Sequence, residues 1–307
     1  MIIDLHMHTT ASDGTSTAGD LVERAARAGI STMSVTDHDT MAAVPAAAAA
    51  AARHGLTVVP GIEVTTVDHA HDVHVLGYFL DAASPALQRL LAKLRAQRIE
   101  RAHEMAERLA AAGAPIDADA LFADPALLSK HPSTHAPQSS RTAASTHPST
   151  HGSARSIGRP QIARMLIAAG HVASVAEAFD RFLSEGCCAY VPHRGPSPAE
   201  AVAVIREAGG VASLAHPGTL QRDELVPPLV DRGLAAIEVY HSAHDAAARE
   251  HYLQLARAHD LAVTGGSDFH GDGARRSEFF GVTSLPADEY ERLLHTWRSR
   301  RSPIPHP

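Results

Sequence analysis

The first residues of the chain carry two histidines directly after a short apolar segment. Ile2, Ile3 and Leu5 form that segment, and His6 and His8 follow at a spacing of two residues. Side chains alternate in direction along an extended chain, so His6 and His8 project from the same side of a predicted strand. Two imidazoles held together in this way can bind one metal ion. The opening stretch therefore predicts a strand whose end supplies metal ligands, and it requires further ligands from elsewhere in the chain.

The same arrangement recurs, because segments with strand character repeatedly end beside residues of metal-ligand type. Helical patterns, such as those over 17–28 and 199–208, separate these segments. Alternating strands and helices are typical of a mainly parallel sheet or barrel, and barrels of this type collect their functional residues at one face, on the strand ends. The strand-like segments after the first are 31–36, 56–60, 73–80, 210–214, 235–240 and 261–264. The sequence therefore predicts an α/β fold with one functional face.

Imidazole and carboxylate side chains lie at or just beyond these predicted strand ends. Such groups, in the absence of cysteine thiolates, suit Zn²⁺, Mn²⁺ or Fe²⁺. A single histidine of this kind could equally be a hydrogen-bonded core or surface residue, but recurrence in successive units indicates a shared metal centre. The candidate ligands are His6, His8, Asp13, His38, Glu63, His74, His216, Asp268 and His270.

The alternation is interrupted between the fourth and fifth predicted strands. Residues 85–113 have the pattern of one long polar helix, and further helices are predicted after residue 158. Between them, residues 124–156 are rich in Ser, Thr, His and Pro, which is typical of a flexible loop, although its repeated histidines could bind a metal loosely. We therefore expect a discontinuous barrel domain, 1–85 and 191–307, and a helical insertion over 86–190.

Composition limits the partners and the compartment of this 307-residue chain. A formal net charge of −7 provides no basic surface for holding a long nucleic acid by its phosphates. No window is apolar enough to cross a membrane, and the N-terminal pattern is not that of a signal peptide, so no membrane association is expected. Cys187 and Cys188 are adjacent and are expected to be reduced thiols, which predicts a cytoplasmic protein.

Taken together, these residues resemble the polymerase and histidinol phosphatase (PHP) family of phosphoesterases. The resemblance implies a distorted seven-stranded (β/α)7 barrel with a helical insertion. Within that family the chain is most similar to the nucleoside 3′,5′-bisphosphate phosphatases, some of which trim RNA from its 5′ end; residues 158–160 and 238–241 resemble that group too. The matching segments run in family order over almost the whole chain, at 4–14, 36–39, 61–63, His74, 214–218 and 266–271.

The resemblance also implies how two or three divalent ions would be held. Mn²⁺ is favoured, with Zn²⁺ or Fe²⁺ as alternatives. Three ions and three carboxylates would leave a charge of about +3 with neutral imidazoles, which suits a phosphate dianion. The first ion would be held by His6, His8, Glu63 and Asp268, the second by Glu63, His74 and His216, and the third by Asp13, His38 and His270.

The implied reaction is hydrolysis of a phosphomonoester, in which a water shared by two ions near Glu63 attacks phosphorus. His241, Asp37 and Asp39 are the candidates for protonating the leaving oxygen, although the favoured role of Asp39 is to cap the following helix, which Thr40 could also do. The candidate substrate contacts are Arg159, Gln161, His241 and Arg222. Gln161 stands where the bisphosphatase-like group usually has histidine, and Thr219 stands where it often has arginine.

Three functions are consistent with these patterns. The leading expectation is a metal-dependent phosphatase that acts on a small phosphorylated nucleotide or on the 5′ end of a short RNA. A second is a phosphatase for another small phosphoester, such as histidinol phosphate. A third is a catalytically inactive PHP module that binds metal and serves a partner, although all nine ligand types are present.

Overall fold

A computed structural model describes residues 1–69, 71–123, 156–273 and 276–301. One seven-stranded sheet, in sequential strand order, dominates these residues. Its strands are β1 Ile2–Asp4, β2 Ile30–Val35, β3 Thr57–Asp68, β4 His71–Tyr78, β5 Val211–Leu214, β6 Ala236–His241 and β7 Ala262–Gly266. The parallel bridge between Met7 and Phe269 brings the two ends of the sheet together. The predicted distorted α/β barrel is therefore confirmed.

β4 departs from the parallel arrangement of the other strands. It pairs antiparallel with both β3 and β5, whereas the remaining four neighbouring pairs are parallel. The expectation that every ligand lies at or beyond a strand end is wrong for Glu63 and His74, which lie within β3 and β4. Because β4 runs in the reverse direction, its first half meets the far half of β3, and His74 lies opposite Thr65.

The helices cover the outside of the barrel and form the inserted segment. They are α1 Ala18–Arg27, α2 Val44–Ala52, α3 Pro85–Ala111, α4 Ala120–Ala123, α5 Arg159–Ala168, α6 Val175–Ala178, α7 Pro198–Glu207, α8 Pro217–Leu220, α9 Val226–Asp231, α10 Ala246–Ala258 and α11 Ala287–Arg301. None of the helices in the described part of the chain has both the length and the apolar character needed to span a membrane.

Neither Asp39 nor Thr40 caps α2, so that sequence-based prediction is wrong. The helix begins at Val44 with Ala43 at its N-cap, and Pro45 provides the fixed backbone angle of a first helical turn. Asp39 instead has a positive φ of 54° and accepts a hydrogen bond from the Thr65 amide at 2.7 Å. Its carboxylate is therefore used to join two segments of the barrel face.

The inserted segment has an apolar core separate from that of the barrel. Met105 and Leu109 of α3 pack with Ile162 and Leu166 of α5 and with Phe182, which lies in a π-helical turn after α6. The barrel core lies between the sheet and helices such as α7 and α9. The predicted flexible loop over 124–156 lies outside the described residues, apart from the buried Ser156. The division into two domains stays a prediction.

Candidate metal centre

The structure brings all nine predicted ligands together on one face of the barrel, around the buried carboxylate of Glu63. Oε1 of Glu63 lies 2.8 Å from His74 Nδ1 and 3.1 Å from His216 Nε2. Its Oε2 lies 3.2 Å from both His6 Nε2 and His8 Nε2. One carboxylate therefore faces two groups of imidazoles with its two separate oxygens, which is the arrangement of a carboxylate shared between two ions.

Asp268 completes the group that includes His6 and His8. Its Oδ1 lies 3.5 Å from His6 Nε2 and 3.4 Å from His8 Nε2. Two ligand atoms that each lie about 2.1 Å from one ion are about 3.0–3.4 Å apart at octahedral to tetrahedral angles. The observed separations of 3.2–3.5 Å match this spacing. The donor atoms are thus arranged as if around a common centre.

The remaining predicted ligands form a third group at the outer edge of the cluster. His270 Nε2 lies 3.3 Å from Asp13 Oδ1, and His38 Nε2 lies 3.8 Å from Asp13 Oδ2. His8 joins this group through its Nδ1, which lies 3.7 Å from Asp13 Oδ1. His38 also lies 3.4 Å from Glu63 through its Nδ1, so this group is continuous with the other two.

Three of the imidazoles are oriented by acceptors behind them. His6 Nδ1 lies 2.9 Å from the Glu238 carboxylate, and His270 Nδ1 lies 2.9 Å from the backbone oxygen of Asp268. His216 Nδ1 lies 3.0 Å from Thr219 Oγ1, whose own proton goes to the His216 carbonyl. Each Nδ1 therefore carries a proton, and each neutral ring directs the lone pair of Nε2 into the cluster, as a metal ligand must.

The polar atoms of the cluster do not all find hydrogen-bond partners among themselves, which fits a site for divalent cations. Within the described residues, the buried nitrogens His8 Nδ1, His8 Nε2, His38 Nδ1 and His74 Nδ1 have no well-aligned hydrogen-bond partner. Burial alone would lower the pKa of His8, but the Asp268 and Glu63 carboxylates raise it to about 10. Burial likewise lowers the pKa of His38, to about 3. Bound cations would give the unpartnered nitrogens of this cluster a partner.

His241 differs from His6, His216 and His270 in which ring nitrogen carries the proton. Its Nδ1 accepts a hydrogen bond from the Ala243 amide at 3.1 Å, so its proton lies on Nε2. That Nε2 lies 3.4 Å from Oδ2 of Asp268, the oxygen that faces away from His6 and His8. The contact is therefore a charge contact with a ligand carboxylate and not a well-aligned hydrogen bond, because His241 Nε2 has no hydrogen-bond partner among the described residues.

Asp37 and Gln161 lie beside the cluster but are occupied elsewhere. The two oxygens of Asp37 accept hydrogen bonds from Thr9, through its amide and hydroxyl at 2.7 Å each, and from the Ser12 hydroxyl at 2.6 Å. Gln161 accepts a hydrogen bond from the Gly158 amide and donates one to the Ser12 carbonyl. Both side chains thus hold the loop that carries Asp13, and the structure brings neither to an open substrate position.

The two predicted arginine contacts have different surroundings. The Arg159 guanidinium lies 5.6 Å from the ring centroids of both Phe179 and Tyr190. Its neighbour in sequence, Pro160, lines a cleft of about 720 Å³ that opens beside Asp13, His270 and Asp268. Arg222 instead pairs with Asp68 at 2.7 Å and Glu224 at 2.9 Å, and the structure does not bring it to the nine ligands.

Sequence reasoning missed the residues that support the ligands from behind. Glu238 is fully buried, and besides His6 it accepts a hydrogen bond from the His216 amide at 2.8 Å. Asp4 Oδ1 accepts the amides of His6, at 3.3 Å, and of Ser267, at 2.9 Å. Both acids lie in or at the end of short apolar strands, where a buried carboxylate requires partners. An acidic residue within a short apolar strand is therefore a sequence signal for a residue that supports the ligands.

Comparison with known proteins agrees with this geometry. A model of the PHP domain matches residues 4–120. The chain is 35% identical over 277 residues to the 5′-3′ exoribonuclease Rnm of Salmonella typhimurium, covering 88% of this chain and 85% of the relative. It is 33% identical over 294 residues to the 3′,5′-nucleoside bisphosphate phosphatase of Chromobacterium violaceum, covering 92% of each. The chain belongs to the PHP family.

The fold of this PHP protein is also that of a solved relative. A Bifidobacterium adolescentis protein described as a metal-dependent phosphoesterase superposes with a TM-score of 0.80 at 33% identity, over 95% of each chain. The predicted family and the predicted phosphoesterase class are therefore confirmed. The metal-binding character expected of the cluster agrees with that class.

Replacement of Glu238 by glutamine tests whether this residue supports the ligands His6 and His216. The carboxamide introduced by Glu238→Gln has a single accepting oxygen, so either His6 or the His216 amide loses its acceptor. We expect Mn²⁺ affinity and turnover to fall by roughly 10- to 100-fold, as is usual for such supporting groups. Metal titration and steady-state kinetics measure this effect, with Glu107→Gln on the exposed side of α3 as the control. Unchanged metal affinity in Glu238→Gln would contradict the assignment.

Proposed function

We propose that this PHP protein is a metal-dependent phosphatase whose substrate is a small phosphorylated nucleotide of the 3′,5′-bisphosphate type, or the 5′ end of a short RNA. The observation that carries the proposal is the shared position of Glu63, with imidazoles facing each of its oxygens at 2.8–3.2 Å. Two relatives of similar length support it, one named a nucleoside bisphosphate phosphatase and the other a 5′-3′ exoribonuclease.

The cleft beside the cluster is suited to a nucleotide in both size and polarity. Its volume of about 720 Å³ lies in the range of small-ligand pockets, which is roughly 300–1,000 Å³. The lining combines polar residues, among them Asp13, His270 and Arg276, with apolar residues, among them Pro160, Val175 and Phe179. A phosphate would lie against the polar residues beside the cluster, and a base or sugar would pack against the apolar ones.

The side chains around the cluster have distinct proposed tasks. Divalent ions at the nine ligands, Mn²⁺ in our proposal, would supply charge neutralisation at the phosphoryl oxygens and a hydrolytic nucleophile at neutral pH. Glu63 and Asp268 hold the donor set together, and His241 lies behind Asp268, with its Nε2 3.4 Å from Oδ2. Arg159, next to the cleft-lining Pro160, is the proposed contact for a second phosphate.

A substrate panel tests the proposal directly. Protein loaded with Mn²⁺ is assayed for phosphate release from adenosine 3′,5′-bisphosphate, AMP and histidinol phosphate, and for shortening of a 5′-phosphorylated oligoribonucleotide. We expect the bisphosphate or the oligoribonucleotide to be preferred, and Arg159→Gln to reduce that preference relative to AMP. Preference for histidinol phosphate would favour the second candidate substrate, and metal binding without any turnover would favour an inactive module.

Metal removal gives an independent prediction. The cluster concentrates carboxylates and imidazoles whose mutual interactions cations would satisfy, so bound ions should stabilise the folded state. At a free metal concentration 100 times the dissociation constant, we expect about 2.7 kcal/mol of additional unfolding free energy. Thermal unfolding with and without a chelator, followed by readdition of Mn²⁺, measures this difference. A melting temperature indifferent to chelation would argue against the metal centre.

A further inference from the structure

Arg276 lies at the boundary between the ligand cluster and the cleft. It follows β7 and immediately precedes a short 3₁₀ turn, Ser277–Phe279. Its Nη1 donates to Asp268 Oδ2 at 2.5 Å, and its side chain lines the cleft together with Asp13 and His270. The sequence patterns did not indicate this residue, because it lies five positions beyond the last predicted ligand segment.

Arg276 contacts Oδ2 of Asp268 and leaves Oδ1, the oxygen that faces the cluster, free. Oδ1 of Asp268 faces His6, His8 and His270 at 3.4–3.5 Å. Oδ2 faces the other way, toward Nε2 of His241 and Nη1 of Arg276. Arg276 therefore does not compete with a cation for Asp268, and its positive charge lies one carboxylate away from the cluster.

The guanidinium retains donors for a second partner. Arginine has five N–H donors in a planar fork, which matches the oxygens of a phosphate. Among the described residues, Asp268 is the partner found for Arg276. The other arginine that lines the cleft, Arg164, donates to the Asp13 backbone carbonyl at 2.9 Å. Arg276 thus lines the cleft while its side chain contacts a ligand carboxylate.

Arg276 and its partner Asp268 both have backbone conformations that are unfavourable for residues other than glycine. Arg276 has a φ of 70° and Asp268 a φ of 56°, both in the left-handed region that non-glycine residues rarely adopt. Such conformations persist where the surroundings impose them, and they concentrate at functional sites. The turn therefore directs the Arg276 side chain back toward the residue with which it pairs.

We propose that Arg276 binds the scissile phosphate, with one N–H fixed on Asp268 Oδ2 and the others directed at phosphoryl oxygens in the cleft. The inference deepens the proposed function and rests on it for the reaction, but its binding step can be measured separately. Arg276 then neutralises phosphate charge from the edge of the cleft that adjoins the ligand cluster. Lysine could supply the charge but not the fork that spans two partners.

The test compares Arg276→Gln and Arg276→Lys with Arg292→Gln, a control on the exposed face of α11. Manganese content is measured first, and inorganic phosphate is then titrated into the Mn²⁺-loaded proteins by calorimetry. We expect unchanged manganese content, a phosphate affinity and kcat/KM lowered roughly 10- to 100-fold in Arg276→Gln, and partial recovery in Arg276→Lys, as for a charged hydrogen bond.

Two outcomes would overturn this inference. One is wild-type phosphate affinity in Arg276→Gln, and the other is loss of manganese from that variant, which would limit Arg276 to holding Asp268. If the wild-type protein releases no phosphate from any substrate, the proposed function fails. A weaker phosphate titration in Arg276→Gln would still support the inference in that case.

Discussion

Replacing Glu63 with glutamine should abolish turnover and release the two ions proposed to share this carboxylate, while leaving the fold intact. The carboxylate is 1% exposed and faces five imidazoles, so its loss removes the contact that these imidazoles share. We expect turnover to fall roughly a thousandfold or more, because losing the charge neutralisation of even one ion costs several kcal/mol and about 1.4 kcal/mol is a factor of ten. Phosphate release and manganese content, measured on the same preparation, check this result.

A matched control distinguishes the effect of losing Glu63 from the general effect of removing a carboxylate. Glu185 is exposed, and Glu185→Gln should retain both metal and activity. Circular dichroism should be unchanged in Glu63→Gln, since glutamine has nearly the shape of glutamate. Retention of manganese and of turnover in Glu63→Gln would contradict the shared-ligand assignment. Loss of turnover with full metal content would instead place the role of Glu63 in the chemical step.

The order and type of the elements could be predicted because their signals are local. The opening strand and the helices α1, α3 and α7 follow from short sequence patterns, and each occurs close to its predicted range. The reversed direction of β4 has no local signal, since an antiparallel strand and a parallel strand share the same alternation. Pairing partners decide direction, and the partners of β4 in β5 lie about 140 residues away along the chain, as for Val75 and Leu214.

The candidate metal ligands could be predicted from the sequence, but the residues that hold those ligands in place could not. Metal-ligating side chains are chemically distinctive, so their recurrence is visible in the sequence. The side chain of Gln161 is compatible with both phosphate and backbone partners, and only the fold shows that it joins Gly158 and Ser12. Thr219 orients His216 through a hydroxyl that no motif singles out. Supporting contacts depend on which polar atoms meet after folding, and residue type alone does not determine that.

Removal of Arg98 should produce the largest loss of stability away from the ligands. Arg98 lies on α3, is 8% exposed, and donates to Asp39 Oδ2 through Nε at 2.7 Å, while its Nη2 lies 2.5 Å from the same oxygen as an ion pair. It also donates to the Ile157 carbonyl at 2.9 Å and to Thr65 Oγ1 at 3.0 Å. Breaking a buried ion pair by removing one partner costs about 3–5 kcal/mol. We expect Arg98→Met to lose that amount, as measured by urea unfolding.

The position of this ion pair connects its stability to the metal centre. Asp39 follows His38 directly, and its carboxylate also accepts the amide of Thr65, two residues after Glu63. Without Arg98 the loop carrying His38 loses its link to α3, so Mn²⁺ affinity should fall together with stability. In the control, Arg194→Met removes an exposed pairing with Glu100 at 3.4 Å, for which about 0–1 kcal/mol is expected. The double variant Asp39→Asn with Arg98→Met should recover part of the lost stability, because it leaves no unpaired buried charge. Equal effects of Arg98→Met and Arg194→Met would show that the buried pair does not hold the inserted helices to the barrel face.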